Sequence, residues 1–342
     1  MHLWHGHAFR FLSVAPERRI SSNTALTFAN NRRNQLMLWD NTLAVSKFLP
    51  RGMGWIPDLP DPRDYTFHHQ AVRPLLDRLH RRPSNNTFDA VDLRRDDDGE
   101  YFMPPEDQGP LNCSAAFAVL SLVEYFERRT LGRTFEGSTR FLYKVTRNLL
   151  KKGRPMTGDT GADLRTTLKV LTSVGVPTEE YWPYDVERFD EEPTKFMYSI
   201  ARPLSGVHYF RLDQPNCDGS ATWDLVTSFL AAGFPIAFGF SVPAALSTDA
   251  IVPYRGDLDS VRGGQAAVAI GYRHNHSGPG HHALMFRSSW GCQWGDCGNG
   301  WLPMAFVYRQ LARDFWTLVS NDWLEAGELT KPTVSATKGM RK

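Results

Sequence analysis

The sequence lacks any apolar stretch that could cross a bilayer. A membrane-spanning helix needs about 20 consecutive apolar residues, whereas the longest apolar window, Phe234 to Phe240, is interrupted by Pro235 and Gly239. The segment from Met1 to Leu12 carries three histidines and one arginine and has no continuous apolar core, so it is unlike a secretory signal peptide. We therefore expect neither a signal peptide nor a transmembrane segment, and the favoured compartment is the cytoplasm.

The sequence also lacks an excess of charge of either sign. Its 39 lysines and arginines nearly balance 37 aspartates and glutamates, which leaves a formal net charge of +2. Nucleic acids and anionic membranes attract strongly basic surfaces, so a balance this close to zero argues against both as partners. The sequence gives no indication of the oligomeric state.

Cysteine is scarce as well, with four residues in a chain of 342, far fewer than in scaffolds held together by disulfides. The sequence contains neither C-x-x-C nor H-E-x-x-H, the spacings typical of metal sites, so we expect no metal and no other cofactor. Cys292 and Cys297 lie five positions apart. They would form a loop disulfide in an oxidising compartment and would remain two free thiols in a reducing one.

Composition divides the chain into four stretches. Residues 1–50 are rich in Asn and Arg and have no hydrophobic period, which predicts a disordered tail, with an organelle presequence as the alternative. Residues 51–90 form an arm broken by Gly and Pro, and we expect Trp55, Ile56 and Leu59 to pack on the body. Residues 91–325 form the main domain, and residues 326–342 form a polar, basic tail.

The main domain changes in character near residue 200. Before that point, apolar residues at helical spacing predict a long helix from Ser114 to Arg129 and two more over residues 138–150 and 161–174. After it, five short segments rich in β-branched and aromatic residues predict strands, with a helix from Trp223 to Ala232 among them. Helices first and strands later favour an α+β body of two lobes.

Cys113 immediately precedes the long helix. The helix dipole at such a position favours a thiolate, although a buried cysteine that only fills space is the plainer interpretation. Gln108 lies five residues earlier, and its side-chain amide could stabilise an oxyanion together with the backbone N–H of Cys113. A thiol nucleophile still needs a partner that takes its proton, usually a histidine held in place by a third group.

These segments resemble the papain family of cysteine peptidases, in its bacterial-type branch. The family has Gln-Gly and a short loop before a Cys at the start of a long helix, then Gly-Gly-His-Ala, then Asn-Ser-Trp-Gly. The resemblance covers about residues 51–325 and implies a papain-like two-lobe fold, with a helical lobe and a strand-rich, barrel-like lobe. The corresponding positions are Gln108-Gly109 with Cys113, then Gly263-Gly264-Gln265-Ala266, then Ser288-Ser289-Trp290-Gly291.

The resemblance assigns roles to six positions. The side chains of Cys113, Gln265 and Ser288 should converge between the lobes, with Gln265 within roughly 12 Å of Cys113. The catalytic positions are Cys113 as nucleophile, Gln108 as oxyanion donor, Gln265 in place of histidine and Ser288 in place of asparagine; the substrate-binding positions are Gly161 and Trp290.

Two of these positions depart from the family in a way that affects catalysis. Gln265 has no titratable nitrogen, so it cannot act as a general base near neutral pH, and Ser288 is too short to orient a ring. Without a histidine the helix dipole contributes only about 0.3–1 kcal/mol, so Cys113 should remain mostly a thiol. Four histidines follow between His274 and His282, but the resemblance puts them at the far end of a hairpin, away from Cys113.

The sequence therefore predicts a catalytically degenerate papain-like protein that binds a peptide or protein segment in the former active-site cleft. An active cysteine-type peptidase or acyl transferase that uses Cys113 with an unconventional base is the alternative. A purely structural module of a larger assembly is a third interpretation.

Overall fold

The computed structural model of the chain describes residues 52–79, 88–96, 99–215, 217–326 and 337–338. The tail predicted over residues 1–50 lies outside these ranges, as do most residues of the tail predicted over 326–342. Within the described ranges, no helix combines the length and the apolarity needed to cross a membrane.

The helix that follows Cys113 is the central helix of the molecule. It buries 15 of its 18 residues, because apolar side chains surround most of its circumference rather than forming one stripe. Gly132, in a left-handed conformation with φ of 62°, ends it. The described helices are α1 (Arg73–Leu76), α2 (Ser114–Leu131), α3 (Thr139–Leu150), α4 (Leu164–Ser173), α5 (Lys195–Ile200), α6 (Gly219–Ala231), α7 (Ala305–Tyr308) and α8 (Asn321–Glu325).

The strands of the second half form one antiparallel sheet of eight described strands. Its hydrogen-bonded order is β10-β1-β6-β5-β9-β4, with β7 on β6 and β8 on β7, and β2 and β3 pair separately. The strands are β1 (Phe88–Asp92), β2 (Arg95–Asp96), β3 (Gly99–Glu100), β4 (Val207–Arg211), β5 (Ile236–Pro243), β6 (Val261–Arg273), β7 (Ala283–Arg287), β8 (Asn299–Pro303), β9 (Ala312–Ser320) and β10 (Thr337–Lys338).

The architecture is α+β with two lobes, which confirms the sequence prediction. Helices α3 and α4 pack on α2 in the helical lobe, and α2 also packs on β6 and β5 of the sheet. The helix predicted over residues 161–174 begins only at Leu164, because the Asp163 side chain accepts the backbone N–H of Thr166 and caps it there. Strand β6 and helix α2 therefore meet along the boundary between the lobes.

The arm lies across both lobes. Trp55 donates its backbone N–H to Gly264 of β6 at 2.9 Å, and its side chain is only 6% exposed, so its predicted packing is confirmed. The prediction is wrong for Leu59 and Ile56, since their side chains are 75% and 40% exposed. Polar contacts hold this part of the arm instead, because Arg165 forms ion pairs with both Asp58 and Asp64.

Candidate active site

Cys113 faces into the helical lobe. Its sulfur is fully buried and lies 3.1 Å from the hydroxyl of Tyr184. That hydroxyl donates its proton to the carbonyl of Gln108 at 2.7 Å, so the thiol must be the donor to Tyr184. Burial raises the pKa of the Cys113 thiol to about 12, which makes it a neutral, packed cysteine near neutral pH.

The side chain of Ser114, one residue later, faces the sheet. Its Oγ accepts the backbone N–H of Ala266 on β6 at 3.1 Å, directly beside Gln265. Cys113 is the N-cap and Ser114 the first residue of α2, and their side chains have different partners: the Cys113 sulfur lies against Tyr184, and the Ser114 hydroxyl contacts β6. The hydroxyl of Ser114 therefore takes the position at the lobe boundary beside Gln265, while the sulfur of Cys113 points to Tyr184; the expected proximity of Cys113 to Gln265 stays a prediction.

Gln265 lies where the resemblance put it, in a cluster of uncharged side chains. Its Nε2 donates to Gln108 Oε1 at 2.9 Å and lies 3.3 Å from the hydroxyls of both Ser288 and Ser289. Its Oε1 is buried without a hydrogen-bond partner among the described residues. The sequence thus brought Gln108, Gln265 and Ser288 together correctly, and none of these groups titrates near neutral pH.

The carbonyl oxygen of Met53 accepts hydrogen bonds from two donors, of which Gln108 is the one that the resemblance assigns to an oxyanion. It accepts hydrogen bonds from Gln108 Nε2 and from the backbone N–H of Ser114, both at 3.3 Å. One side-chain amide and one backbone N–H at a helix start are the donor pair that the sequence predicted, except that the backbone donor belongs to Ser114 rather than Cys113. The second proton of the Gln108 amide is also engaged, by Leu111 O at 2.6 Å.

The arm continues through the cleft with backbone pairing on both sides. Ala162 donates to Gly54 O at 2.8 Å and accepts from the N–H of Ile56 at 3.1 Å. Gly161 has a φ of 79°, and a Cβ there would lie 2.5 Å from Gly54 O. The predicted substrate-backbone glycine is therefore in contact with the arm, while its neighbour Ala162 makes the hydrogen bonds.

The indole of Trp55 fills a socket in the sheet lobe. A Cβ on Gly239 would lie 1.8 Å from the ring, and one on Gly264 would lie 2.8 Å from it, so both glycines are needed to leave room. The indole N–H donates to the carboxylate of Asp314 at 3.0 Å. Asp314 is fully buried and also accepts the backbone N–H of Asp58 at 2.9 Å.

The side chain of Trp290 lies behind the site and is not exposed in it. Its side chain is fully buried and packs against Trp294 with ring centroids 4.7 Å apart. Its backbone pairs with Asp107, beside Gln108. These contacts fit a structural role for Trp290 in supporting the Gln108 loop, and the substrate-binding role expected for it stays a prediction.

Two further groups that the sequence singled out lie elsewhere. The rings of His274 and His282 pair through their Nδ1 atoms at 3.2 Å, at the far end of the β6–β7 connection as expected. Cys292 and Cys297 are joined by a disulfide, so the structure takes the first of the two alternatives left open for this pair.

Sequence reasoning missed Ser114, Met53 and Asp314. A signal was present for Met53, because Gly52 and Gly54 flank it and neither has room for a side chain: a Cβ on Gly52 would lie 1.9 Å from Leu111 O. Asp314 gave no signal in the sequence, since its role depends on packing against a residue 259 positions earlier in the chain.

Comparison with known proteins gives relatives with this architecture. No family model matches the chain. An uncharacterized peptidase C1-like protein, L477, of Acanthamoeba polyphaga mimivirus is 29% identical over 283 residues, covering 79% of this chain and 87% of the relative. Xylellain, a cysteine protease from Xylella fastidiosa, is 25% identical with a TM-score of 0.61, covering 81% of this chain and 98% of that structure.

A more distant structure has the same fold. Digestive procathepsin L2 from the larval midgut of Tenebrio molitor has a TM-score of 0.59 at 18% identity, covering 87% of this chain and 90% of that structure. Together with the motif order and the two-lobe architecture, these likenesses show that the chain has the papain-like fold and is similar to C1-type cysteine peptidases and their homologues.

Proposed function

We propose that this chain is a papain-fold protein without peptidase turnover, which binds an extended peptide or protein segment in the cleft now held by its own residues Met53 to Trp55. One observation carries the proposal. The Met53 carbonyl takes both donors that would hold a substrate oxyanion, Gln108 Nε2 and the Ser114 N–H. The site therefore binds a peptide carbonyl while its nucleophile position carries an unactivated hydroxyl.

The case against turnover rests on proton transfer. A serine nucleophile needs an adjacent base, and the neighbour of Ser114 on β6 is the amide Gln265. A positioned general base contributes about 10²- to 10⁴-fold in rate, and here it is absent from the contacts of Ser114 and Gln265 among the described residues. The alternative enzyme that uses Cys113 loses its support, because that thiol is buried against Tyr184.

The case for peptide binding rests on how the arm is held. Ala162 on one side and Gly264 on the other hydrogen-bond its backbone, which is recognition by strand addition and is independent of side chains. Selectivity comes from the Trp55 socket, where Asp314 accepts the indole N–H. The partner should therefore be an extended segment with a tryptophan, or another aromatic side chain that donates a hydrogen bond.

The tethered arm competes with any such partner. A segment tied to its own site has an effective concentration of about millimolar, so a free peptide must exceed that to displace it. Weakening the arm should consequently raise the apparent affinity for a peptide of the same chemistry. This relation gives the proposal a direct test.

The test uses the full-length chain and a fluorescent peptide of the sequence RGMGWIP, which copies residues 51–57. Fluorescence anisotropy should show at least tenfold tighter binding to Trp55→Ala than to the wild-type chain, because the socket is then vacant. Leu59→Ala is the matched control, since that arm side chain is largely exposed. The peptide RGMGAIP should bind neither variant.

Gly54→Ala provides a second arm variant that leaves no cavity. A Cβ at this position would lie 1.9 Å from Asn112 O, so the arm cannot stay in place. Absence of peptide binding to both arm variants, with thermal unfolding still cooperative, would contradict the peptide-binding proposal. Cleavage of the peptide, followed by mass spectrometry, would contradict the absence of turnover separately.

A further inference from the structure

A second pocket lies away from the cleft, between the segment 251–254, the β6–β7 connection and helix α7. Its volume is about 570 Å³, within the range of roughly 300–1,000 Å³ that is usual for small-molecule sites. None of its lining residues belongs to the candidate active site. The function proposed above makes no use of it.

Aromatic side chains form much of the wall. Tyr254, Trp301 and Tyr308 all line the pocket, and Tyr308 is 42% exposed there. The Trp301 ring is held in place by His276, which stacks on it at 4.1 Å, and by the guanidinium of Arg273 at 5.2 Å from its centroid. A planar ring that enters would meet aromatic surfaces that are already oriented.

Arg309 is the permanently charged side chain among the described residues that line the pocket. Three histidines line it as well, and no aspartate or glutamate does so among these residues. Among the described residues, Arg309 forms no ion pair, although it is always protonated. The pocket therefore presents an uncompensated positive charge beside apolar walls.

A hydrogen bond from the backbone fixes the tautomer of His282 in its neutral form. His282 Nδ1 accepts the backbone N–H of Asn275 at 3.1 Å, so a neutral His282 carries its proton on Nε2. The Nδ1 atom of His274 lies 3.2 Å from the same His282 Nδ1.

We propose that this pocket binds a small planar aromatic anion, with its ring against Tyr254, Trp301 and Tyr308 and its anionic group on Arg309 and the Nε2–H of His282. Charge complementarity selects the anion, because a cation would face Arg309 without a carboxylate to pair with. A metal ion does not suit the pocket, since no group of three metal-ligating side chains occurs among the described residues. The chemistry is common to aromatic carboxylates and aromatic phosphate esters.

The experiment titrates the full-length chain with 1-naphthoate, 1-naphthyl phosphate and the neutral 1-naphthylmethanol, by calorimetry and saturation-transfer NMR. At least one anion should bind with a Kd below about 1 mM, and the alcohol should bind at least tenfold more weakly. If only one of the two anions binds, its anionic group, carboxylate or phosphate, is the one that the pocket recognises. Equal binding of the alcohol, or no binding of either anion, would overturn the proposal.

Two substitutions locate the binding. Arg309→Gln should weaken the better anion at least tenfold and leave the alcohol unchanged, and Tyr308→Ala should weaken all ligands that bind. Both positions are exposed, so folding should be preserved. Arg202→Gln is the matched control, an exposed arginine outside the pocket. Equal losses for Arg309→Gln and Arg202→Gln would show general charge attraction and would overturn the assignment.

Discussion

Ser114 donates its backbone N–H to the carbonyl oxygen of Met53 at 3.3 Å. The same carbonyl accepts the side-chain amide of Gln108, so the donor pair that would polarise a substrate is complete and already occupied by the chain itself. The hydroxyl of Ser114 meanwhile accepts the N–H of Ala266. If the proposed function is correct, this site keeps the binding of a peptide carbonyl and lacks the activation of a nucleophile, two properties that a peptidase combines.

The first prediction concerns the thiol of Cys113. Burial raises its pKa to about 12, so only about one molecule in 10⁵ carries the thiolate at pH 7. Iodoacetamide at pH 7 should therefore alkylate the half-buried Cys217 well before Cys113 in the native chain. Peptide mapping by mass spectrometry measures both sites, and urea-unfolded protein, where the two should react alike, is the control. Faster labelling of Cys113 than of Cys217 would contradict this.

The second prediction concerns restoration of a nucleophile. Gln265→His with Ser288→Asn should leave the reactivity of Cys113 unchanged, because its sulfur faces Tyr184 rather than β6. Adding Ser114→Cys should create a thiol that alkylates faster at pH 6, by about 10²-fold or more once a histidine can take its proton. The measurement is site-resolved alkylation in a Trp55→Ala background, where the arm no longer covers the site.

Cys113→Ala is the control for this restoration. In the chain with all three restoring substitutions it should leave the gain intact, since the new thiol at position 114 supplies the reactivity. Loss of the gain on Cys113→Ala would instead show that Cys113 can turn toward Gln265, and the assignment of the lobe-boundary side chain to Ser114 would be wrong.

The sequence predicted the order of the motifs and the uncharged side chains that meet at the boundary between the lobes. It did not predict which of two adjacent residues, Cys113 or Ser114, faces β6. Gln108, Gln265 and Ser288 were placed together by motifs that each sit on a separate element. Whether Cys113 or Ser114 faces β6 depends on the turn at which α2 begins, and helix starts are uncertain by one or two residues from sequence. A shift of one residue rotates the side chain by about 100°.

The arm was predicted to pack on the body, but its path through the cleft was not. Apolar side chains were taken as the anchors, yet Leu59 is exposed and Arg165 binds Asp58 and Asp64 instead. Backbone pairing with Ala162 and Gly264 has no sequence signature, because any residue with a free N–H or carbonyl can make it. Such contacts are decided by tertiary geometry alone.

The third prediction concerns pH and stability. Burial raises the pKa of Glu124 to about 8 and that of Glu106 to about 7, so both hold a proton in the folded chain at pH values where the unfolded chain has lost it. The folded state then binds more protons, so the free energy of unfolding falls as pH rises, by roughly 1 kcal/mol per pH unit for each carboxyl. This fall runs from about pH 5 to about pH 7 for Glu106 and to about pH 8 for Glu124.

Urea unfolding at pH 5.5, 7.0 and 8.5 measures this dependence. The midpoint should decrease steadily with rising pH in the wild-type chain. Glu124→Gln, which keeps the shape of the protonated acid, should flatten the decrease between pH 7 and pH 8.5, where Glu124 titrates. A midpoint that rises over this range would mean that the two buried carboxyls are ionised in the folded state.

The fourth prediction uses two glycines that share a backbone conformation but not a neighbour. Gly161 and Gly158 have φ values of 79° and 87°, so an alanine at either position is strained to a similar degree, by roughly 1–2 kcal/mol. A Cβ at Gly161 would also lie 2.5 Å from Gly54 O, whereas nothing lies within 4 Å of one at Gly158. Any difference between the two alanine variants therefore reports contact with the arm.

Limited proteolysis separates the two effects. Gly161→Ala should expose the arm to cleavage within residues 51–65, with a rate at least tenfold above that of the wild-type chain, because the clash displaces Gly54 and with it the Met53 carbonyl. Gly158→Ala should lower the thermal midpoint to a similar extent but leave cleavage of the arm near the wild-type rate. Equal arm cleavage in both variants would mean that backbone strain alone loosens the arm, and the close approach of Gly54 to Gly161 would then play no part in holding the cleft closed.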